Sequence, residues 1–148
     1  MIFQRANRSD PERVFVVALN SEGAAIVIDQ TVQLEVASAS VDGVRVRDMD
    51  TSNLFCFLGV ADAAIADGAY GLIQIYGYRS TSLILTTDTS ITTGVPLVPV
   101  AGQDYFSTIL SCTTSSANVT LQPVFAVLLE SITTSAGSVS RKIFIRGM

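Results

Sequence analysis

The chain has 148 residues, of which 49% are hydrophobic and only 15% charged, with a formal net charge of −4. That length fits one domain able to bury about 68–70% of its unfolded surface. The acidic balance, with no basic cluster larger than Arg141-Lys142, argues against non-specific nucleic-acid binding, which needs several phosphates neutralised.

Met1–Arg13 is polar and shows neither the helical nor the strand period, so it reads as an extended arm before a single β-domain over 14–148. Its start lacks the apolar core of a secretory signal, and synthesis in a cytoplasm is expected. Val14–Leu19 is the first apolar run and ends at Asn20-Ser21-Glu22-Gly23. Ala24–Ala37 alternates in part, with Val32, Leu34 and Val36 on one face and Gln33 and Glu35 on the other. Asp42-Gly43 predicts a hairpin turn, since glycine accepts the positive φ required there. Val44–Arg47 alternates strictly and predicts a strand with one face buried. Leu54–Ala61 is apolar on both faces and reads as a central strand. At eight residues it is the longest uninterrupted apolar stretch, far short of the about 20 that span a bilayer.

Ala61–Ala66 is alanine-rich and fits either a short helical turn or a loop with one 3₁₀ turn. Asp67-Gly68 then predicts a second tight turn. Tyr70–Tyr78 follows as a buried strand of aromatic and β-branched residues, with Ile75 expected inside. Thr93-Gly94 makes another turn, and Val95–Val100 carries Pro96 and Pro99, which predicts an edge strand. Beyond Gly102 come a strand-like run at Tyr105–Thr113, a loop at Thr113–Asn118 and a strand within Val119–Leu129. Ser135-Ala136-Gly137 is the last turn, and Lys142–Arg146 closes the chain with Ile143 and Ile145 on one side. Closely spaced turns without a helical period predict an all-β fold, a small barrel or sandwich with an extended N-terminal arm. Ile-Thr-Thr recurs at Ile91 and Ile132, too short a match to establish a repeat.

The sequence offers little to a catalyst. It contains no histidine, so a Ser–His–acid triad is excluded. Lys142 is the only lysine and lies in a strand-like run, and no nucleophile elbow, P-loop or dinucleotide fingerprint occurs. Asp50-Thr51-Ser52 and Asp88-Thr89-Ser90 lack the glycine that an aspartic-protease turn needs, and they read as strand-end turns. Asp48, Asp50 and Asn53 are spaced loosely like a calcium loop but without its glycine and distal glutamate, so a solvated turn is expected. Cys56 and Cys112 form no C-x-x-C pair and read as reduced, buried hydrophobes rather than as a disulfide. No enzyme activity, cofactor or metal is expected.

From Asp42 onward, the runs DGVRVR, TSNLFCFLGVADAAIADGAYGLIQIYGY, ITTGVPLVPVAG, PVFAVLLES and GSVSRKIFIRG resemble the capsid decoration (cement) proteins of tailed bacteriophages. The resemblance implies a β-barrel protein added to the outer face of an assembled head, as a trimer at local three-fold positions. Its partner would be the major capsid protein, its place the virion, and its task to brace the shell. Low charge content independently suggests that the chain hides surface against other chains, hence a homo-oligomer. The polar arm, with Phe3, Arg5, Arg8 and Arg13, is the expected interaction element, ordering on contact with a neighbour. Two rivals remain. One is a tail, neck or head-fibre-base component of the same fold type. The other is a ligand-binding β-module for host attachment, for which Tyr70, Tyr76, Tyr78 and Tyr105 would have to supply the aromatic surface.

Overall fold

Strands form where the sequence alternates or runs apolar between turn residues, and the fold is all-β, as that pattern predicts. The computed structural model describes residues 12–36, 42–49, 54–86, 90–100, 102–108, 124–133 and 137–146. Among them the only helical element is a 3₁₀ turn at Leu54–Cys56. The predicted turns at Gly43, Gly68 and Gly94 all carry positive φ, between 70° and 86°.

The first five strands close on themselves. They are β1 (Arg13–Asn20), β2 (Thr31–Leu34), β3 (Arg45–Asp48), β4 (Phe57–Ala61) and β5 (Tyr70–Arg79). Their order is β1-β3-β2-β4-β5, and β5 returns to pair antiparallel with β1, from Leu19↔Tyr70 to Arg13↔Gly77. Closure removes most of the exposed edge that an open sheet would present. The barrel is filled by Ala18, Ile26, Val32, Val46, Ala61, Ile65 and Ile73.

The remaining strands repeat this plan. They are β6 (Leu83–Thr86), β7 (Pro96–Pro99), β8 (Phe106–Thr108), β9 (Ala126–Leu128), β10 (Gly137–Ser140) and β11 (Ile143–Arg146). As β1 runs parallel to β3, so β6 runs parallel to β8. As β2 pairs with β3 and β4, so β7 pairs with β8 and β9. The part of β5 is played by β10 on β6 and β11 on β9, one strand broken at Arg141-Lys142. The bridge Ile26↔Ile65 recurs as Ile91↔Ile132. Individual hydrogen bonds recur too: Ala61 N–H to Gln30 C=O at 2.9 Å matches Leu128 N–H to Val95 C=O at 3.0 Å.

Six of the seven residues filling the first barrel have a counterpart in the second core, at Ile91, Leu97, Phe106, Leu128, Ile132 and Ile143, while Ala18 corresponds to buried Ser82 and Ile84 takes the place of Asn20. That second core extends to Met49, Phe57 and Val60 from the first half. The Phe57 ring lies 5.5 Å from Phe106 and 4.9 Å from Phe125. The halves are further joined by an antiparallel ladder between β5 and β11, from Ile143↔Arg79 to Arg146↔Tyr76. Antiparallel pairing of equivalent strands relates them by an approximate two-fold axis.

Three expectations are corrected by this architecture. Val95–Val100 is not an edge: β7 is paired on both sides, with β8 and β9. Leu97 and Val95 accept from Phe125 and Leu128 of the β9 side, while Val100 donates to Tyr105 of the β8 side. Main-chain groups alternate between neighbours, so Pro96 faces β8 before its ladder begins at Leu97, and Pro99 faces β9 past Leu97, where that ladder ends. Among the described residues neither proline removes a bond the ladder uses. Ala61–Ala66 forms no helix, because Ile65 is held by its bridge to Ile26. In β5 it is Ile73 and Gln74 that are fully buried, whereas Ile75 is half-buried against the first core.

Candidate functional site

The outer wall of the first barrel carries its most apolar exposed surface. Residues directly opposite in an antiparallel pair share a face, so Val17 lies beside Leu72 and Leu19 beside Tyr70. Val17, Leu72 and Tyr70 are 60%, 46% and 66% exposed. They point outward because their neighbours Ala18 and Ile73 fill the core. At the far end of the same strands the Tyr76 ring packs edge-on against Phe144 of β11, 5.3 Å between centroids. The Arg13 guanidinium sits 5.8 Å above the Phe15 ring, a cation–π contact that keeps the one charge of β1 on this surface.

Of the expected arm residues, Phe3, Arg5 and Arg8 lie outside the described residues, and Arg13 is the exposed first residue of β1. Tyr70 and Tyr76 are exposed on β5 and Tyr78 is half-buried there. Tyr105 stands apart, ahead of β8, donating its hydroxyl hydrogen to Gln103. Lys142 is exposed between β10 and β11. Cys56 is a free, half-buried thiol on the 3₁₀ turn, while Cys112, Asp50, Asn53, Asp88 and Thr89 lie outside the described residues.

Two polar groups were not anticipated as clusters. Arg79, at the end of β5, is buried and fully engaged. It donates to Asp29 Oδ1 from Nε at 3.1 Å and from Nη2 at 2.6 Å. It also donates to Asp62 Oδ1 at 3.0 Å, to Gln74 Oε1 at 3.2 Å and to the Ala61 carbonyl at 2.8 Å. Satisfied in this way, a buried cation fixes geometry. The clue in the sequence was an arginine ending an apolar strand, with its carboxylates 50 and 17 residues away, too far for local spacing to pair them.

The second group surrounds Asp48. Burial, then the nearby carboxylates of Asp104 and Glu22, push its carboxyl up to about 6, against a smaller opposing pull from Arg47. Gln30 Nε2 donates to Asp48 Oδ1 at 2.7 Å, and the Asp48 N–H donates to Glu22 Oε2 at 3.0 Å. Arg47 lies 3.4 Å from Glu22 and 3.7 Å from Glu35. The group sits where 102–104 of the second half meets the first: Thr31 donates to the Asp104 carbonyl, and Gly102 to that of Met49. Among the described residues no cluster of histidine, cysteine and carboxylate side chains is arranged to hold a metal ion.

No family model matches the chain, and no curated protein matches it. Among solved structures, the fold is similar to the N base of the head fiber gp8.5 in bacteriophage phi29. The match has a TM-score of 0.51 at 10% identity and covers 91% of this chain and 95% of that one. The two proteins share a fold across nearly their whole lengths.

Proposed function

We propose that the chain is a structural protein of a phage virion, bound to the outer surface of the head, which it stabilises as a decoration protein. The observation that carries this reading is the fold shared with a phage head-fibre base over nine-tenths of both chains. The sequence resemblance to phage cement proteins points to the same particle by an independent route. Its partners are the major capsid protein and further copies of itself, and neither nucleic acid nor membrane is among them. It works by binding alone: each bound copy lowers the free energy of the shell by mass action, with no chemical step. Weak contacts suffice when a symmetric array multiplies them.

A second reading is the base of a head fibre, favoured because the similar structure is itself one. The two separate on copy number and on effect. Decoration requires hundreds of copies per particle, and stripped particles that release DNA sooner than complete ones when heated. Some tens of copies with no change in DNA release would instead support the fibre base.

A further inference from the structure

β1 is eight residues long, yet among the described residues only its last ones have strand neighbours on both sides. Its main-chain groups alternate in direction. Asn20 donates to the Ala69 carbonyl on the β5 side, whereas Leu19 and Ser21 donate to Val44 and Val46 on the β3 side. By the same alternation Arg13, Phe15 and Val17 turn their N–H and C=O groups away from β5. β3 meets β1 only at Leu19 and Asn20. Among the described residues no strand pairs with this stretch of edge on the side away from β5. The counterpart strand β6 is four residues long and has no such extension.

Sheet edges left open in native proteins are normally guarded by lysine, proline or a tight twist, because they template pairing with another chain. The edge of β1 reads Arg-Val-Phe-Val-Val, with one charge at its start, and Val17 is its most exposed apolar residue. We infer that this edge pairs with the same edge of a second copy, antiparallel about a two-fold axis through Phe15. The register follows from the free groups: Phe15 opposite Phe15, and Arg13 of each copy opposite Val17 of the other. A pairing centred nearer the C-terminal end of β1 would run the second copy into Val44 and Arg45, which already flank Leu19. The chosen register also keeps the two arginines apart, each beside an exposed valine. An isologous contact of this kind is self-complementary, so an apolar edge with its charge at one end fits its own copy.

The test uses the free full-length chain and so stands apart from any attachment to particles. Light scattering at micromolar concentration is expected to give twice the chain mass. Val17→Pro removes an outward N–H that the barrel does not use, and is expected to give a monomer with unchanged β-sheet circular dichroism. Independently of that variant's folding, Val17→Lys sets a cation opposite Arg13 and Val17→Glu an anion. The first should weaken dimerisation and the second strengthen it, each by roughly tenfold. A wild-type monomer or trimer, a dimer that Val17→Pro leaves intact, or equal weakening by lysine and glutamate overturns the inference.

Discussion

Asp29 and Gly94 occupy the same position in the two halves of the molecule. Each has positive φ, 70° and 86°, and each donates its N–H to the carbonyl of an equivalent residue, Ala61 at 3.0 Å and Leu128 at 2.8 Å. The second half meets this backbone demand with glycine. The first half accepts the strain of an L-residue, and its carboxylate is the one that takes two bonds from buried Arg79. Asp62, which completes the clamp, corresponds to Leu129 in the second half. One barrel is thus closed by an ionic clamp, and its duplicate dispenses with it.

Asp29→Ala should be the most damaging change at this position, because it keeps the unfavourable φ and deprives Arg79 of its better partner. A loss of about 3–4 kcal/mol is expected, within the range for breaking a buried pair. Asp29→Gly should cost about 1 kcal/mol less, since glycine relieves the strain. Urea unfolding of the two variants measures the difference. Equal losses would show that the backbone at Asp29 carries no strain.

Stability should fall as pH rises from about 4 to about 6, and Asp48 should be the cause. Its carboxyl titrates near 6 in the folded protein and at 3.8 when free of its surroundings, so the folded state holds the proton longer. That contribution is complete below about 4 and is lost as pH rises through 6. A displacement of this size corresponds to at most about 3 kcal/mol. Solvent reaches the carboxylate and screens it, so about 1–2 kcal/mol is expected. Asp48→Asn should flatten this part of the pH profile in denaturant titrations, and an unchanged slope would assign the effect to other groups.

Gly77 should tolerate no side chain. Its φ is 101°, and a Cβ there would drive into the Glu12 carbonyl, which is backbone and cannot swing aside. Gly77→Ala should cost more than about 3 kcal/mol or abolish folding. Gly43, with φ 73° and nothing within 4 Å of an added Cβ, is the control. Gly43→Ala should cost only the left-handed backbone penalty of about 1–2 kcal/mol. Thermal melts of the pair separate collision from strain.

Much of the strand pattern was legible because it depends on local signals. The alternation of Val44–Arg47 became β3 with Val46 buried, and Ile143 and Ile145 line the second core, as their spacing predicts. The duplication was not legible. What the halves share is a set of positions that fill or bridge each barrel, and at most of them one apolar residue stands for another: Val32 for Leu97, Val46 for Phe106, Ala61 for Leu128. Isoleucine is kept at the bridges Ile26–Ile65 and Ile91–Ile132, but Ile-Thr-Thr recurs at the two ends of the second bridge and is absent from the first, so it gave no sign of the duplication. The two prolines of β7 misled for a related reason. Whether a proline breaks a ladder depends on where the neighbouring strand stops, and that is settled only by the fold. The outward face of Val17, Leu72 and Tyr70 was hidden by the same limit, since an apolar strand does not declare which side the barrel closes on.

Phe57 should couple the two barrels. It belongs to β4 in the first half, yet it is buried in the second core, 5.5 Å from Phe106 and 4.9 Å from Phe125. The other links are Met49 and Val60, smaller first-half contributions to the same core, the Tyr76–Phe144 ring contact, the β5–β11 ladder and the polar contacts of 102–104, whose main-chain bonds water can replace on separation. Phe57→Ala leaves a cavity between the halves and should cost about 3–5 kcal/mol. Because each half keeps its own closed set of strands and its own core residues, the loss should fall on the joint. Calorimetry of the wild type should then show one cooperative transition, and Phe57→Ala two, or one in which the calorimetric enthalpy exceeds the van't Hoff value. Ile26→Val, a similar lesion inside the first barrel, should lower stability by about 0.5–1.5 kcal/mol without splitting the transition. If Phe57→Ala destabilises while the transition stays two-state, the halves form one cooperative unit held by the shared ladder, and the phenylalanine is simply part of its core.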